Sequence, residues 1–121
     1  MSKTNDLRKL VQEKLKSVAD RVYYKNADDE AIYPHIVHVI ERVNFTAEHR
    51  DDVSLVVDVW TKSVPEANEL ADFVEKSLNR ENLPQDTILP TFFLENRVDI
   101  EDEDKSISHI QMTFTVQNYE R

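Results

Sequence analysis

Val53-Ser54-Leu55-Val56-Val57-Asp58-Val59-Trp60-Thr61, followed after Lys62 by Ser63-Val64-Pro65-Glu66-Ala67, is the stretch that decides the fold. The first part alternates: Val53, Leu55, Val57 and Val59 share one face of a strand, while Ser54, Val56, Asp58 and Trp60 share the other. The second part starts a helix. Ser63 suits the N-cap, Pro65 is tolerated in the first turn, and Glu66 stands where a capping box wants a carboxylate. Behind it Ala67, Leu70, Ala71, Val74 and Leu78 form an apolar stripe with Phe73 on its flank, and the segment 79–85 with Pro84 ends it. The two small residues, Ala67 and Ala71, let this helix lie close against a sheet.

Working outward toward the N-terminus, Ile36-Val37-His38-Val39-Ile40 is a β-branched run suited to a buried strand, and residues 44–52 read as a polar connection. Pro34 biases Tyr33 to an extended conformation, and residues 23–32 read as a polar loop. Leu7, Leu10, Val11, Leu15, Val18 and Val22 recur at helical spacing, which predicts an amphipathic helix capped by Asn5 or Asp6, with Thr4 as competitor. Toward the C-terminus, residues 92–100 read as a strand after Pro90. Ile110, Met112, Phe114 and Val116 alternate with Gln111, Thr113, Thr115 and Gln117 in another, and a charged tip at 101–106 lies between them.

The order is therefore α-β-β-α-β-β in one domain spanning 1–121. Short loops favour antiparallel neighbours, and two amphipathic helices need a common surface. The expected architecture is an α+β fold: a four-stranded, mostly antiparallel sheet with both helices packed on one face. Its other face, with Asp58, Trp60, Gln111, Thr113 and Thr115, is mixed and meets water or another subunit. Trp60 is expected there as a packed edge residue.

Composition removes several functions. The chain has 121 residues, 24 acidic against 15 basic, and a net charge of −9, a balance that opposes docking on a phosphate backbone, so no direct sequence-specific contact with nucleic acid is expected. There is no cysteine, which excludes disulfides, thiolate catalysis and cysteine-based zinc sites. There is also no glycine, which excludes the P-loop, the dinucleotide fingerprint and the nucleophile elbow, all of which need it where the backbone turns sharply or meets a phosphate. No apolar run reaches membrane-spanning length and no signal core precedes the first helix, so the expectation is synthesis and residence in a cytoplasm without membrane contact.

No residue set has a catalytic arrangement, and no cofactor or metal site is expected. The acidic tract Glu101-Asp102-Glu103-Asp104 lacks the spaced ligands and glycine of a calcium loop. His35 and His38, three apart on a strand, point to opposite faces. The remaining candidates are for protein contact, because polar loops on a rigid scaffold often carry binding. They are Phe45, Glu48, Arg50 and Asp51 in the 44–52 connection, Trp60 on the second strand face, and Glu101, Asp102, Glu103, Asp104 and Lys105 in the charged tip.

The succession of features also resembles a known family. An N-terminal amphipathic helix is followed by Tyr33-Pro34-His35-Ile36-Val37, by the strand 52–61, and by the helix 64–78. Arg97-Val98-Asp99-Ile100-Glu101-Asp102-Glu103-Asp104 and a last strand at 110–116 complete it. Over nearly the whole chain this is similar to the tail-completion, or tail-terminator, proteins of long-tailed siphovirus-type phages and prophages. The resemblance implies a non-enzymatic homo-oligomer, usually a hexameric ring, at the head-proximal end of the virion tail. Such a ring is assembled in the host cytoplasm, stops the tail tube, and joins tail-tube protein to head connector. Another minor head or neck assembly protein is the alternative, as is a small-ligand or inhibitor module built on the sheet face around Trp60.

Overall fold

The computed structural model describes residues 2–27, 31–85 and 87–120. Helix α1 (Lys3–Lys16) is followed by strands β1 (Val22–Tyr24), β2 (His35–Ala47) and β3 (Arg50–Thr61). Helix α2 (Val64–Leu78) and strands β4 (Ile88–Ile100) and β5 (Ser108–Glu120) complete the chain. The strands form one sheet in the order β1-β2-β3-β5-β4. Every pairing is antiparallel except that of β1 with β2.

Both helices lie on one face, as the two apolar stripes require. On that face Val53, Leu55, Val57 and Val59 of β3 stand opposite Val116, Phe114, Met112 and Ile110 of β5. Leu7, Leu10, Val11 and Leu15 of α1 and Ala67, Ala71, Val74 and Leu78 of α2 close over them. Each large side chain removed from water here contributes about 1.5–3 kcal/mol. Ser63 caps α2 as expected, its hydroxyl accepting from the Glu66 backbone N–H at 3.4 Å. The Ser63 N–H is itself taken by the Thr61 hydroxyl at 3.2 Å.

Three expectations need correction. The sheet has five strands rather than four, because Val22-Tyr23-Tyr24 pairs in parallel with Ile36-Val37-His38. A three-residue strand is too short to show a period. Helix α1 begins and ends earlier than its stripe suggests. Ser2 is the N-cap, accepting from the Asn5 N–H at 3.1 Å, and Ser17 closes the helix by donating to the Lys14 carbonyl at 2.5 Å. Val18 and Val22 keep the apolar spacing only because the loop and β1 run back over the same core. The polar connection at 44–52 is instead a tight hairpin. β2 and β3 continue to Ala47 and from Arg50, with bulges between Ile40 and Arg42 and between Phe45 and Ala47.

The missing glycines are replaced at a cost. Lys25 and Arg80 take positive φ, at 73° and 62°, a region that costs a side-chain-bearing L-residue about 1–2 kcal/mol.

Candidate protein-interaction site

The register places the ten candidate residues at two opposite poles of the sheet. Phe45, Glu48, Arg50 and Asp51 lie at the β2–β3 hairpin end, where Arg50 stands beside Tyr119 near the end of β5. Trp60 and the 101–105 tip lie at the other end, where Trp60 stands beside His109 at the start of β5. No candidate from one pole is brought to the other.

At the hairpin pole the roles divide. Phe45 is 78% exposed and Glu48 sits in the two-residue turn. Arg50 is held by Asp52 at 3.2 Å and reaches the Tyr119 hydroxyl at 3.4 Å. That hydrogen bond comes first, and the neighbouring carboxylate second, in favouring its charged form. Asp51 is buried and paired with Lys3 at 3.4 Å, so it pins the start of α1 rather than offering a surface contact. Asp6 does the same on the other side of the helix start, accepting from the Thr87 hydroxyl at 2.5 Å. His49 spans the hairpin to Glu120 at 2.9 Å, a contact that lowers the Glu120 carboxyl below its ordinary value.

At the other pole the acidic tip is a self-contained turn. Asp102 accepts from the Asp104 N–H at 2.9 Å. Asp104 accepts from the backbone and hydroxyl of Ser106 at 2.9 and 2.7 Å, and these contacts, the hydroxyl first, hold its carboxyl below the usual range. Glu101 pairs with Lys105, and Glu103 is exposed. Among the described residues no cluster of His, Asp or Glu could hold a metal ion, and no helix is long and apolar enough to cross a membrane.

Trp60 is in the third of five strands rather than at an edge, and it belongs to a cluster that periodicity alone does not reveal. His35, Trp60 and His109 stand side by side across β2, β3 and β5. The Trp60 ring stacks on His109 with centroids 3.6 Å apart and lies near-parallel to His35 at 6.3 Å. Asp58 anchors the row: its Oδ1 lies 2.6 Å from His109 Nε2 and accepts from Gln111 Nε2 at 3.2 Å. Tyr33 packs on His35 at 4.9 Å, and burial pushes the His35 imidazole below its usual pKa. Beside this cluster opens a cavity of about 330 Å³, walled by Lys25, Asn26, Tyr33, His35, Asp58 and Trp60. An aspartate inside the apolar run 55–60 was the available signal, since a half-buried carboxylate needs a partner. His35 and His38 do face opposite ways. His38 is on the helix side, fully buried against Gln12.

The chain matches the family model described as Tail completion protein gp17 over residues 2–117. No curated protein sequence matches it. Among solved structures it is similar to a chain of the virion of a native gene transfer agent particle, with a TM-score of 0.74. The two chains are 12% identical, and the match covers 96% of each. That likeness shows a shared fold, and the family match over nearly the whole length shows more: this chain belongs to the tail completion protein family.

Proposed function

We propose that the protein caps a phage or prophage tail tube as a closed ring of identical copies, usually six in this family, and presents the surface that joins the tube to the head connector. It acts by assembly and not by catalysis. It resides at the head-proximal end of the tail in the virion, after assembly in the host cytoplasm. Family membership supports a structural role in the tail.

The observation that carries the ring is the pair of free sheet edges. β1 pairs with β2 only along Ile36–His38, and the Tyr24 hydroxyl takes the Ile40 N–H at 3.4 Å, leaving the outer edge from Glu41 to Ala47 without a partner among the described residues. The segment 79–85 covers β4 as far as Leu94, through Leu83 N–H to the Pro90 carbonyl at 3.1 Å and Leu94 N–H to Asn79 Oδ1 at 2.8 Å. Beyond Leu94 no described strand pairs with its outer side. Unpaired edges are templates for another chain, and these two carry exposed Phe45 and Val43 on one side, Val98 and Ile100 on the other. Because β2 and β4 run antiparallel, repeating the sheet sideways sets β4 of one copy antiparallel to β2 of the next. The contact uses two different surfaces, which is the heterologous kind that forms rings. The free stretches start near the same level, at Glu41 and Asn96, and run to opposite poles. Full overlap therefore needs a stagger of about six residues, and closing a sheet into a cylinder requires such a shear.

Light scattering coupled to size-exclusion chromatography over a wide concentration range, with and without purified tail tubes, tests this reading. Ring-sized species, or protein recovered with tubes, are expected. A monomer that ignores tubes at every concentration would overturn it.

A further inference from the structure

We infer that the cavity beside Trp60 is a receptor for an arginine side chain of a partner protein. The inference goes beyond the ring and does not depend on it. Two features of the cavity specify a flat cation. First, its walls include three aromatic rings, those of Tyr33, His35 and Trp60, with His109 stacked on one side of Trp60 and His35 near-parallel to it at 6.3 Å on the other. Guanidinium groups stack on such rings and are less strongly hydrated than ammonium groups. Second, Asp58 lines the cavity, and both hydrogen bonds it accepts fall on Oδ1. Its Oδ2 is engaged by no described residue, so the carboxylate keeps one oxygen for a charge-assisted hydrogen bond. The Tyr33 ring is already shared with a cation, the Lys62 ammonium at 4.9 Å from its centroid, so His35 and Trp60 are the rings left to a ligand.

Lys25 also borders the cavity and is the feature that argues for an anion instead. Its residue is exposed, and a lysine keeps its ammonium in water along a flexible stem, whereas Asp58 is fixed in the sheet by two partners. The imidazole of His35 adds no charge at neutral pH, because burial lowers its pKa. The side chain that satisfies both the rings and the fixed carboxylate is therefore arginine, and a chain of net charge −9 favours its approach.

Trp60 is the sole tryptophan, so its fluorescence reports the cavity directly. The experiment titrates the intact protein with N-acetyl-arginine methylamide, with the citrulline analogue as a neutral isostere and N-acetyl-glutamate methylamide as an anion. Saturable change with arginine in the millimolar range is expected, with none for citrulline or glutamate. Asp58→Asn weakens the arginine response about tenfold or more, in line with loss of one charged hydrogen bond. Should that variant fold poorly by circular dichroism, His35→Leu replaces it, with a similar loss expected. Lys25→Gln leaves the arginine response intact or strengthens it. Equal response to arginine and citrulline, a response to glutamate abolished by Lys25→Gln, or no saturable response at all each overturns the assignment. Ring formation measured in parallel is unaffected by these outcomes, so the two readings fail separately.

Discussion

The two faces of the sheet are made from the same strands and solve opposite problems. Under the helices, β3 and β5 present Val53, Leu55, Val57, Val59, Ile110, Met112, Phe114 and Val116, all buried. On the bare face the same strands present Ser54, Val56, Trp60, Thr113 and Thr115, with Asp58 and, nearer the hairpin, the paired Arg50 and Asp52 as charged members and β4 adding Phe93 and Val98. The covered face holds the molecule together. The bare face is half-buried, aromatic in places and poorer in charge than the chain as a whole, of which 32% is charged, whereas the free strand edges are exposed and mix apolar residues with Glu41, Arg42, Glu95, Arg97 and Asp99. Charge depletion with aromatic enrichment marks the centres of protein interfaces. Stability and assembly should therefore separate by face.

The largest expected effect lies under the helices. Phe114→Ala costs about 3–5 kcal/mol in urea unfolding, as a large buried ring leaves a cavity. Thr115→Ala, its neighbour on the bare face, stays within about 0.5 kcal/mol. Equal losses would erase the distinction.

A second contrast lies in the two histidines. Gln12 donates through Nε2 to the Val22 carbonyl at 3.0 Å, so its Oε1 faces His38 Nε2 at 2.6 Å and His38 must donate there. The other ring nitrogen, Nδ1, is then a buried lone pair without a partner among the described residues. Adding a proton at that position leaves a buried charge unmatched, and desolvation, with a smaller contribution from Arg8, lowers the His38 pKa to about 4 from 6.5. Between these values the unfolded chain binds more protons than the folded one. The stabilising contribution is thus whole above pH 6.5 and is lost as pH falls toward 4, by roughly 3 kcal/mol. His35, on the bare face, shifts in the same direction. Chemical denaturation of the protein and of His38→Gln between pH 7 and 4 separates them. Most of the acid loss should disappear in the variant, and an unchanged pH profile would move the source elsewhere.

A smaller gain is expected away from both faces. Arg80→Gly relieves a positive φ while keeping the backbone bond to the Phe92 carbonyl. It should stabilise by up to about 1 kcal/mol, visible as a higher denaturation midpoint. The smallest stability effects belong to the free edges. Phe45→Lys and Ile100→Lys should shift unfolding by no more than about 0.5 kcal/mol yet abolish ring-sized species in light scattering, because edge lysines block strand pairing. Unaltered assembly in both variants would remove the edges from the interface.

The covered face was legible in the sequence because burial imposes a period. The alternation at 53–59 and at 110–116 and the Ser63 cap of α2 appear where the residues require them. Elements without a period were missed. β1 is three residues long, and residues 44–52 look polar because β2 beyond Glu41 is exposed and has no side to hide. The candidate site was half legible. Trp60 and the acidic tip stood out by residue type, whereas Tyr33, His35, Asp58 and His109 meet only through pairings 25 and 49 residues apart in the chain (60 − 35 and 109 − 60). Asp51 looked like a surface contact because its partner Lys3 lies far away in sequence.

The most direct measurement is tail-tube elongation seeded from short purified tubes, with free tube protein in excess and this protein added at increasing concentration, followed by electron microscopy. Growth should stop at one end, with a ring of density on that end and tube length falling as protein is added. Tubes that lengthen equally with and without the protein, and carry no terminal density, would contradict the proposed role as a tail cap.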